Sequence, residues 1–175
     1  MHTVSSGQPS TQAKLILSRA SQQQIRADIY HRRQIEACGL LTGRRDEEGN
    51  WLVQQAHPLP NIFNSPVYFE FAPEDVLAID LAYPDQVIGA YHSHPSGPPR
   101  ASSTDRDNMQ RVNVEQQIPW AWLIASGPFE HPKAPLDDSV SLSTERLVAY
   151  HHYDDLGLRQ LHVHLEHSGS TEQDL

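Results

Sequence analysis

Pro95 cuts the stretch from Gln86 to Asp105 into two conformations, and no other feature constrains the fold as tightly. Before it, Val87-Ile88-Gly89-Ala90-Tyr91 is apolar enough for a buried strand, whose C-terminal end carries His92, Ser93 and His94. Pro95 has no N–H to offer a ladder, so the strand stops there. Gly97, Pro98 and Pro99 make a stiff, tight loop, and a helix is predicted from about Ser103 to Val114. Thr104, Asp105 and Asp107 fall in its first turn. Residues i and i+2 of a strand point to one face. His92 and His94 therefore reach the same point, Ser93 turns away, and the loop can fold Asp105 back toward them. Two imidazoles and a carboxylate suit Zn²⁺. Three protein ligands leave a fourth position for water, which is how a catalytic zinc site is built. The segment points to a hydrolase.

A His-x-His pair alone is weak support, because histidines also stand as ordinary polar residues at strand ends. The chain holds a second such pair, His162-Val163-His164, between Leu161 and Leu165. There the alternation predicts Leu161, Val163 and Leu165 inward and both histidines facing solvent. No Gly-Pro loop and no Ser-Asp pair follows it. His151 and His152 are adjacent and so fall on opposite faces of a strand.

With 175 residues the chain is long enough for one domain with a real core. Hydrophobic residues at 38% and charged residues at 20% give a soluble globular composition. The formal net charge of −9 argues against nucleic acid as the main partner, since phosphate contacts need clustered Lys and Arg. Arg32-Arg33 and Arg44-Arg45 are the adjacent basic pairs. Cys38 is the single cysteine, so no internal disulfide forms, which fits a reducing compartment. No apolar run approaches the roughly 20 residues of a membrane helix, and no secretory signal is visible. A cytoplasmic enzyme is expected.

Residues 1–13 read as a disordered leader and residues 168–175 as a disordered tail. Ser21 is predicted to cap a helix running to about Ile35, with Ile25, Ile29 and Tyr30 as its apolar stripe. A hairpin follows: Ala37–Gly43 as a buried strand, Arg44–Asn50 as a charged turn and Trp51–Ala56 as the return strand. Residues 57–70 form a Pro- and Asn-rich connection. Pro73, Glu74 and Asp75 suit the start of a helix reaching about Leu81. Further strands are predicted over Pro119–Ser126, 143–151 and 158–166, with a loop over 127–139. Trp120 and Trp122 share a strand face, as core or pocket wall. The whole is a mixed α/β (α+β) layer fold of strands with a few packed helices.

His-x-His, seven residues, Ser, two residues, Asp resembles the signature of the JAMM metallopeptidases, also called the JAB or MPN⁺ family: His92, His94, Ser102 and Asp105 fill it. The family's upstream glutamate is matched by Glu36 in Glu36-Ala37-Cys38-Gly39-Leu40. The resemblance runs from the first helix to the strand near 126, and more loosely to 166. It implies a single JAB/MPN domain over 14–167. It also implies a curved, barrel-like, mostly antiparallel sheet flanked by helices, similar to that of cytidine deaminases. It implies zinc, one per chain, held by His92, His94 and Asp105, with Glu36 as general acid/base and Ser102 helping to hold the oxyanion. Ser103 is expected to cap the following helix, which leaves Ser102 free for chemistry. Cys38, two positions from Glu36, either approaches the site or is a buried small hydrophobe.

As substrate, the resemblance implies an amide or isopeptide bond at the C-terminal Gly-Gly tail of a ubiquitin-like protein. The alternative is a cysteine adduct trimmed from a sulfur-carrier protein with an extended tail. The Asn61–Phe71 connection lies where the family contacts substrate, so Ser65, Pro66 and Tyr68 are expected near such a tail. The tail could add as a strand to a sheet edge. A simple loop is the competing reading of that segment. A non-catalytic scaffold is disfavoured because all five motif residues are present. A zinc deaminase needs paired Cys ligands that one cysteine cannot supply. A DNA-associated role is opposed by the acidic charge.

Overall fold

Strand β4 (Val87–His94) lies at the centre of the barrel wall that carries the site, paired on one side with β2 (Cys38–Arg45) and on the other with β5 (Ala121–Ser126). The computed structural model describes residues 12–129 and 142–167. The remaining elements are β1 (Lys14–Leu17), α1 (Arg19–His31), β3 (Trp51–Leu59), α2 (Pro73–Ala82) and α3 (Ser103–Gln110), then a π-helical turn (Arg111–Glu115), a 3₁₀ turn (Thr144–Arg146), β6 (Leu147–Tyr153) and β7 (Gly157–Leu165). Residues 1–11 of the expected leader and the expected tail lie outside the described residues, as does most of the 127–139 loop; Gln12 and Ala13, expected in the leader, instead bond to β7, Gln12 donating to the Gln160 carbonyl at 2.8 Å and the Ala13 carbonyl accepting from the His162 N–H at 2.9 Å.

The strands close into a barrel in the order β1-β3-β2-β4-β5-β6-β7. The pairs β2/β3, β2/β4, β5/β6 and β6/β7 are antiparallel, and β4/β5, β1/β3 and β1/β7 are parallel. The fold is therefore the mixed, barrel-like and mostly antiparallel sheet that was expected. Closure rests on β1, which the sequence reading did not assign. Its four residues, Lys-Leu-Ile-Leu, are too few to show a period, yet Leu15 and Leu17 are fully buried. A closed barrel presents no free ladder edge beside β4. A substrate tail cannot add to the sheet there, which corrects the expectation of a sheet edge.

Period-2 alternation sorts the wall into two faces. Leu41, Tyr91 and Leu123 join the core that Ile25 and Ile29 of α1 close. Leu40, Ala90, Trp122 and Ile124 face Met109 and Val112 on the α3 side. His92 and His94 continue the Ala90 face, so α3 is the helix that meets them.

Helix boundaries shift from expectation. Ser18, not Ser21, caps α1: its side chain accepts from the Ser21 N–H at 3.1 Å. Ser21 is fully buried and its hydroxyl donates to the Ser18 carbonyl at 2.9 Å. The helix ends at His31 rather than Ile35, because Arg32 is occupied elsewhere. Its guanidinium grips Asp28 with two 2.7 Å contacts and donates to the Leu59 and Cys38 carbonyls at 2.7 and 2.9 Å. Tyr91 donates to the same Asp28 carboxylate at 2.6 Å. This cluster fastens α1 to the starts and ends of β2, β3 and β4. The third helix is α-helical only to Gln110 and continues as the π turn.

Cys38 pairs with His92 in the strand register, yet its Sγ turns to the Leu59 carbonyl at 3.6 Å. It is wholly buried, and burial pushes its thiol up to about 12. A thiol there holds roughly 10⁻⁴ of its population as thiolate at pH 8. Cys38 in the native protein will therefore fail to react with a thiol-specific chromogenic disulfide at pH 8, and will react fully in denaturant. Rapid native labelling would contradict this burial.

Candidate metal and catalytic site

The His92 and His94 Nε2 atoms stand 3.1 Å apart at the end of β4. Between them, Ser93 faces the other way. Its Oγ accepts from the Ala37 N–H at 2.9 Å, and its own N–H donates to the Ala37 carbonyl at 2.9 Å. The loop after Pro95 returns the chain so that the Pro98 carbonyl lies 3.2 Å from His94 Nδ1. With Nδ1–H donating there, His94 Nε2 is the ring nitrogen that faces the site, the usual orientation of a ligating imidazole, and it gives up its proton to bind a metal ion.

Asp105 completes the group from the first turn of α3. Its Oδ1 is 3.1 Å from His92 Nε2 and its Oδ2 is 3.1 Å from His94 Nε2. One ligand atom from each of the three residues lies within 4.8 Å of the others, and all three residues are buried. His92 Nδ1 is buried without a hydrogen-bond partner among the described residues, and the Phe69 ring stacks on the imidazole at 4.5 Å. Two neutral nitrogens and a carboxylate converging at this spacing fit zinc.

Glu36 enters from the segment before β2. It is 5% exposed, and its Oε1 is 4.0 Å from His94 Nε2. That distance is beyond a direct hydrogen bond. Burial pushes its carboxyl up to about 8, against a lowering by His94. Burial also opposes ionisation of Asp105, but hydrogen bonds from His92 and His94 outweigh it and hold that carboxyl well below the usual range. Two carboxyls at one site are thus driven apart, one toward a proton carrier and one toward a permanent anion. Burial lowers His92. It also opposes the charge on His94, yet the bonds to Asp105 and Pro98 raise that group.

Ser102, not Ser103, caps α3. Its Oγ accepts from the Asp105 N–H at 3.1 Å, and its N–H donates to Asp105 Oδ2 at 2.8 Å. The two form a reciprocal capping box. The Ser-x-x-Asp spacing carried that signal. The cap uses the oxygen as acceptor, so the hydroxyl proton stays available to donate. Ser102→Ala should cost about 1 kcal/mol of stability through the lost cap. It should also cost on the order of 10²–10³ in turnover if the hydroxyl serves an oxyanion. Thermal unfolding and initial rates measure the two losses separately, and an unchanged rate would leave Ser102 with the cap alone.

Of the residues expected near a substrate tail, Ser65 accepts the Glu36 N–H through its carbonyl at 2.8 Å. Tyr68 is exposed and lines a cavity of about 610 Å³ with Phe63, Phe69, Phe71 and Trp122. Pro66 is exposed and is not among that cavity's lining residues. The sequence reading missed Asn61, which is 2% exposed. Its amide donates to the Glu36 carbonyl at 3.0 Å and the Tyr68 carbonyl at 2.8 Å, and accepts from the Phe63 N–H at 3.1 Å. It ties the backbone of the candidate base to the loop that bears Phe69. An Asn after Pro60 reads locally as a turn residue, so only the tertiary partners reveal it. His162 and His164 are exposed, while Leu161 and Leu165 are buried. Among the described residues neither joins a group of potential metal ligands. No helix among the described residues is long and apolar enough to cross a membrane.

Comparison with known proteins supports a hydrolase of the isopeptidase class. The chain belongs to the prokaryotic homologs of the JAB domain, whose family model matches residues 18–140. It is 32% identical over 117 residues to the desampylase of Pyrococcus furiosus, covering 65% of this chain and 76% of that protein. It is 40% identical over 76 residues to the desampylase of Haloferax volcanii, covering 41% of this chain and 52% of that protein. A solution structure from Desulfitobacterium hafniense superposes with a TM-score of 0.65 at 25% identity, covering 92% of this chain and 99% of that one. A JAB1/MPN domain protein from Archaeoglobus fulgidus shares the fold, with a TM-score of 0.50 at 17% identity, over 87% of this chain and 98% of that one.

Proposed function

We propose that residues 14–167 form a cytoplasmic zinc isopeptidase that removes a group from the C-terminal Gly-Gly tail of a ubiquitin-like protein. The observation that carries this reading is the convergence of His92, His94 and Asp105 on one point, with Glu36 Oε1 only 4.0 Å from His94 Nε2. The two desampylase relatives support a ubiquitin-like modifier as the acyl side of the bond. His92, His94 and Asp105 would hold one zinc per chain, and the ion would supply an acidified water and polarisation of the scissile carbonyl.

The chain's own residues do the rest. Glu36 accepts a proton from water as its oxygen attacks the carbonyl carbon. The Ser102 hydroxyl donates to the carbonyl oxygen as it gains negative charge. The C–N bond then breaks, and Glu36 returns its proton to the departing amine. The products are a free carboxylate on the tail and a free amine. Asn61 and Ser65 hold the Glu36 backbone in place for both transfers. Ser65, Pro66 and Tyr68 lie along the path proposed for the tail.

The test is cleavage of a ubiquitin-like fusion with a C-terminal extension after Gly-Gly, using zinc-loaded protein. Release of the extension, stopped by a chelator and restored by zinc, supports the reading. An intact fusion after prolonged incubation with one zinc bound per chain overturns it.

A further inference from the structure

Ser93 stands between the two histidines in sequence and on the opposite face of β4 from them. It is 0% exposed, so its hydroxyl must find its partners inside the protein. Those partners flank Glu36. Ser93 Oγ accepts from the Ala37 N–H at 2.9 Å, and it lies 3.5 Å from the Ile35 carbonyl, at the limit of a hydrogen bond. One side chain thus straddles the candidate base.

The strand register explains why a side chain serves there. β2 pairs with β4 from Cys38 and His92 onward, and continuing that register sets Ala37 opposite Ser93. The Ser93 N–H makes one bond of this rung, to the Ala37 carbonyl at 2.9 Å. Ser93 Oγ makes the other, to the Ala37 N–H. The ladder is extended past Cys38 by an oxygen at the γ position of residue 93. Ser65 and Asn61 meet the Glu36 N–H and carbonyl at 2.8 and 3.0 Å. Each backbone polar group of residues 36 and 37 is therefore held, and both of those on Ala37 are held by Ser93.

In the proposed reaction Glu36 receives a proton and gives it up again, so its carboxyl must stay beside His94, where Oε1 is 4.0 Å from Nε2. A displacement of about 1 Å at a reacting group costs on the order of 10²-fold in rate. Ser93 is covalently next to both histidines, so its bonds to Ala37 put the ligand strand and the base segment on one frame. We infer that the Ser93 hydroxyl is a positioning group for Glu36, fixing the base relative to the metal-binding strand through Ala37 without touching substrate or metal. This rests on the proposed isopeptidase reading and adds to it the residue that sets its base in place. Ser93→Ala keeps the main-chain bond of the rung and removes the side-chain bond. Ser93→Thr keeps a γ hydroxyl, and Ser93→Val matches Thr in shape without the oxygen.

The test compares the zinc-loaded wild type with these three variants on a ubiquitin-like fusion that carries an extension after Gly-Gly. Ser93→Ala should lower kcat on the order of 10²-fold with KM unchanged. Thr should restore most of that rate and Val should not, which separates the hydroxyl from its volume. Zinc affinity should keep its wild-type value, because the ligands are untouched. Added to Glu36→Gln, Ser93→Ala should slow the reaction no further, since a residue that acts only through Glu36 has no base left to position. NMR relaxation gives a reading that does not depend on cleavage. The backbone order parameters of Glu36 and Ala37 should fall from the rigid value of roughly 0.85 toward 0.6 in Ser93→Ala, while those of His92 and His94 hold. The proposal is overturned by a Ser93→Ala protein that cleaves like wild type, loses its zinc, or slows Glu36→Gln further. Thr and Val variants that behave alike, or a Ser93→Ala protein that does not fold, would equally leave the hydroxyl a purely structural role. A wild type that never cleaves the fusion, with order parameters that still fall as expected, would sink the isopeptidase reading and leave the anchor standing.

Discussion

Glu36→Gln is expected to abolish hydrolysis by about 10²–10⁴-fold, the range lost when a positioned general acid/base is removed. The substitution keeps the shape of the side chain and removes only its ability to carry a proton. Bound zinc, measured by atomic emission, should stay at one per chain, because Glu36 is outside the converging group of His92, His94 and Asp105. The fold should tolerate the change. Burial already pushes the carboxyl up to about 8 in the metal-free protein, so a neutral group is what the pocket prefers near pH 7. The sign follows from linkage. With its folded value above the unfolded one, the folded state binds the extra proton between about pH 4.5 and 8, and stability falls across that window. Glu36→Gln removes that slope, so the metal-free variant should unfold at a higher temperature than wild type at pH 8. Full activity in Glu36→Gln would remove this residue from the mechanism.

What the sequence revealed and what it hid have separate physical causes. A strand's period of two was enough to place His92 and His94 together and Ser93 away, because that geometry is local. The same period made His162 and His164 a recognisable decoy: Leu161 and Leu165 point inward and the histidines point to solvent. The loop from Pro95 to Arg100 was legible as a reversal, since proline and glycine restrict the backbone wherever they occur. Caps were placed less well. Ser18 and Ser21 are both plausible starts for α1, and Ser102 and Ser103 for α3. The choice turns on which side chain meets a backbone N–H. Closure was hidden, because β1 is a strand only through its parallel partners β3 and β7. Asn61 was hidden for a related reason. Its bonds to Glu36 and Tyr68 span sequence separations that no local pattern encodes.

Metal loading gives the second large effect. His94→Ala and Asp105→Ala should each reduce bound zinc from one per chain to none after dialysis against a weak chelator. Losing one of three protein ligands leaves too few for a stable site, and Asp105 also supplies the negative charge that offsets the dication. Wild type in zinc at about 100 times its dissociation constant should gain roughly 2.7 kcal/mol, or a melting shift of several degrees for a domain of this size. Neither variant should shift. Protons compete for the same nitrogens, and the competition has a sign. Burial opposes the charge on His94, but Asp105 and the Pro98 carbonyl raise it, so this ring holds its proton to a higher pH than a free imidazole. Zinc must displace that proton. Affinity should therefore rise with pH through and somewhat above the ordinary histidine range, and level off once His94 is neutral. Asp105 sets no limit in that window, because it is already ionised. Zinc affinity that is flat between pH 5.5 and 8, or zinc retained by Asp105→Ala, would mean that the ion sits elsewhere.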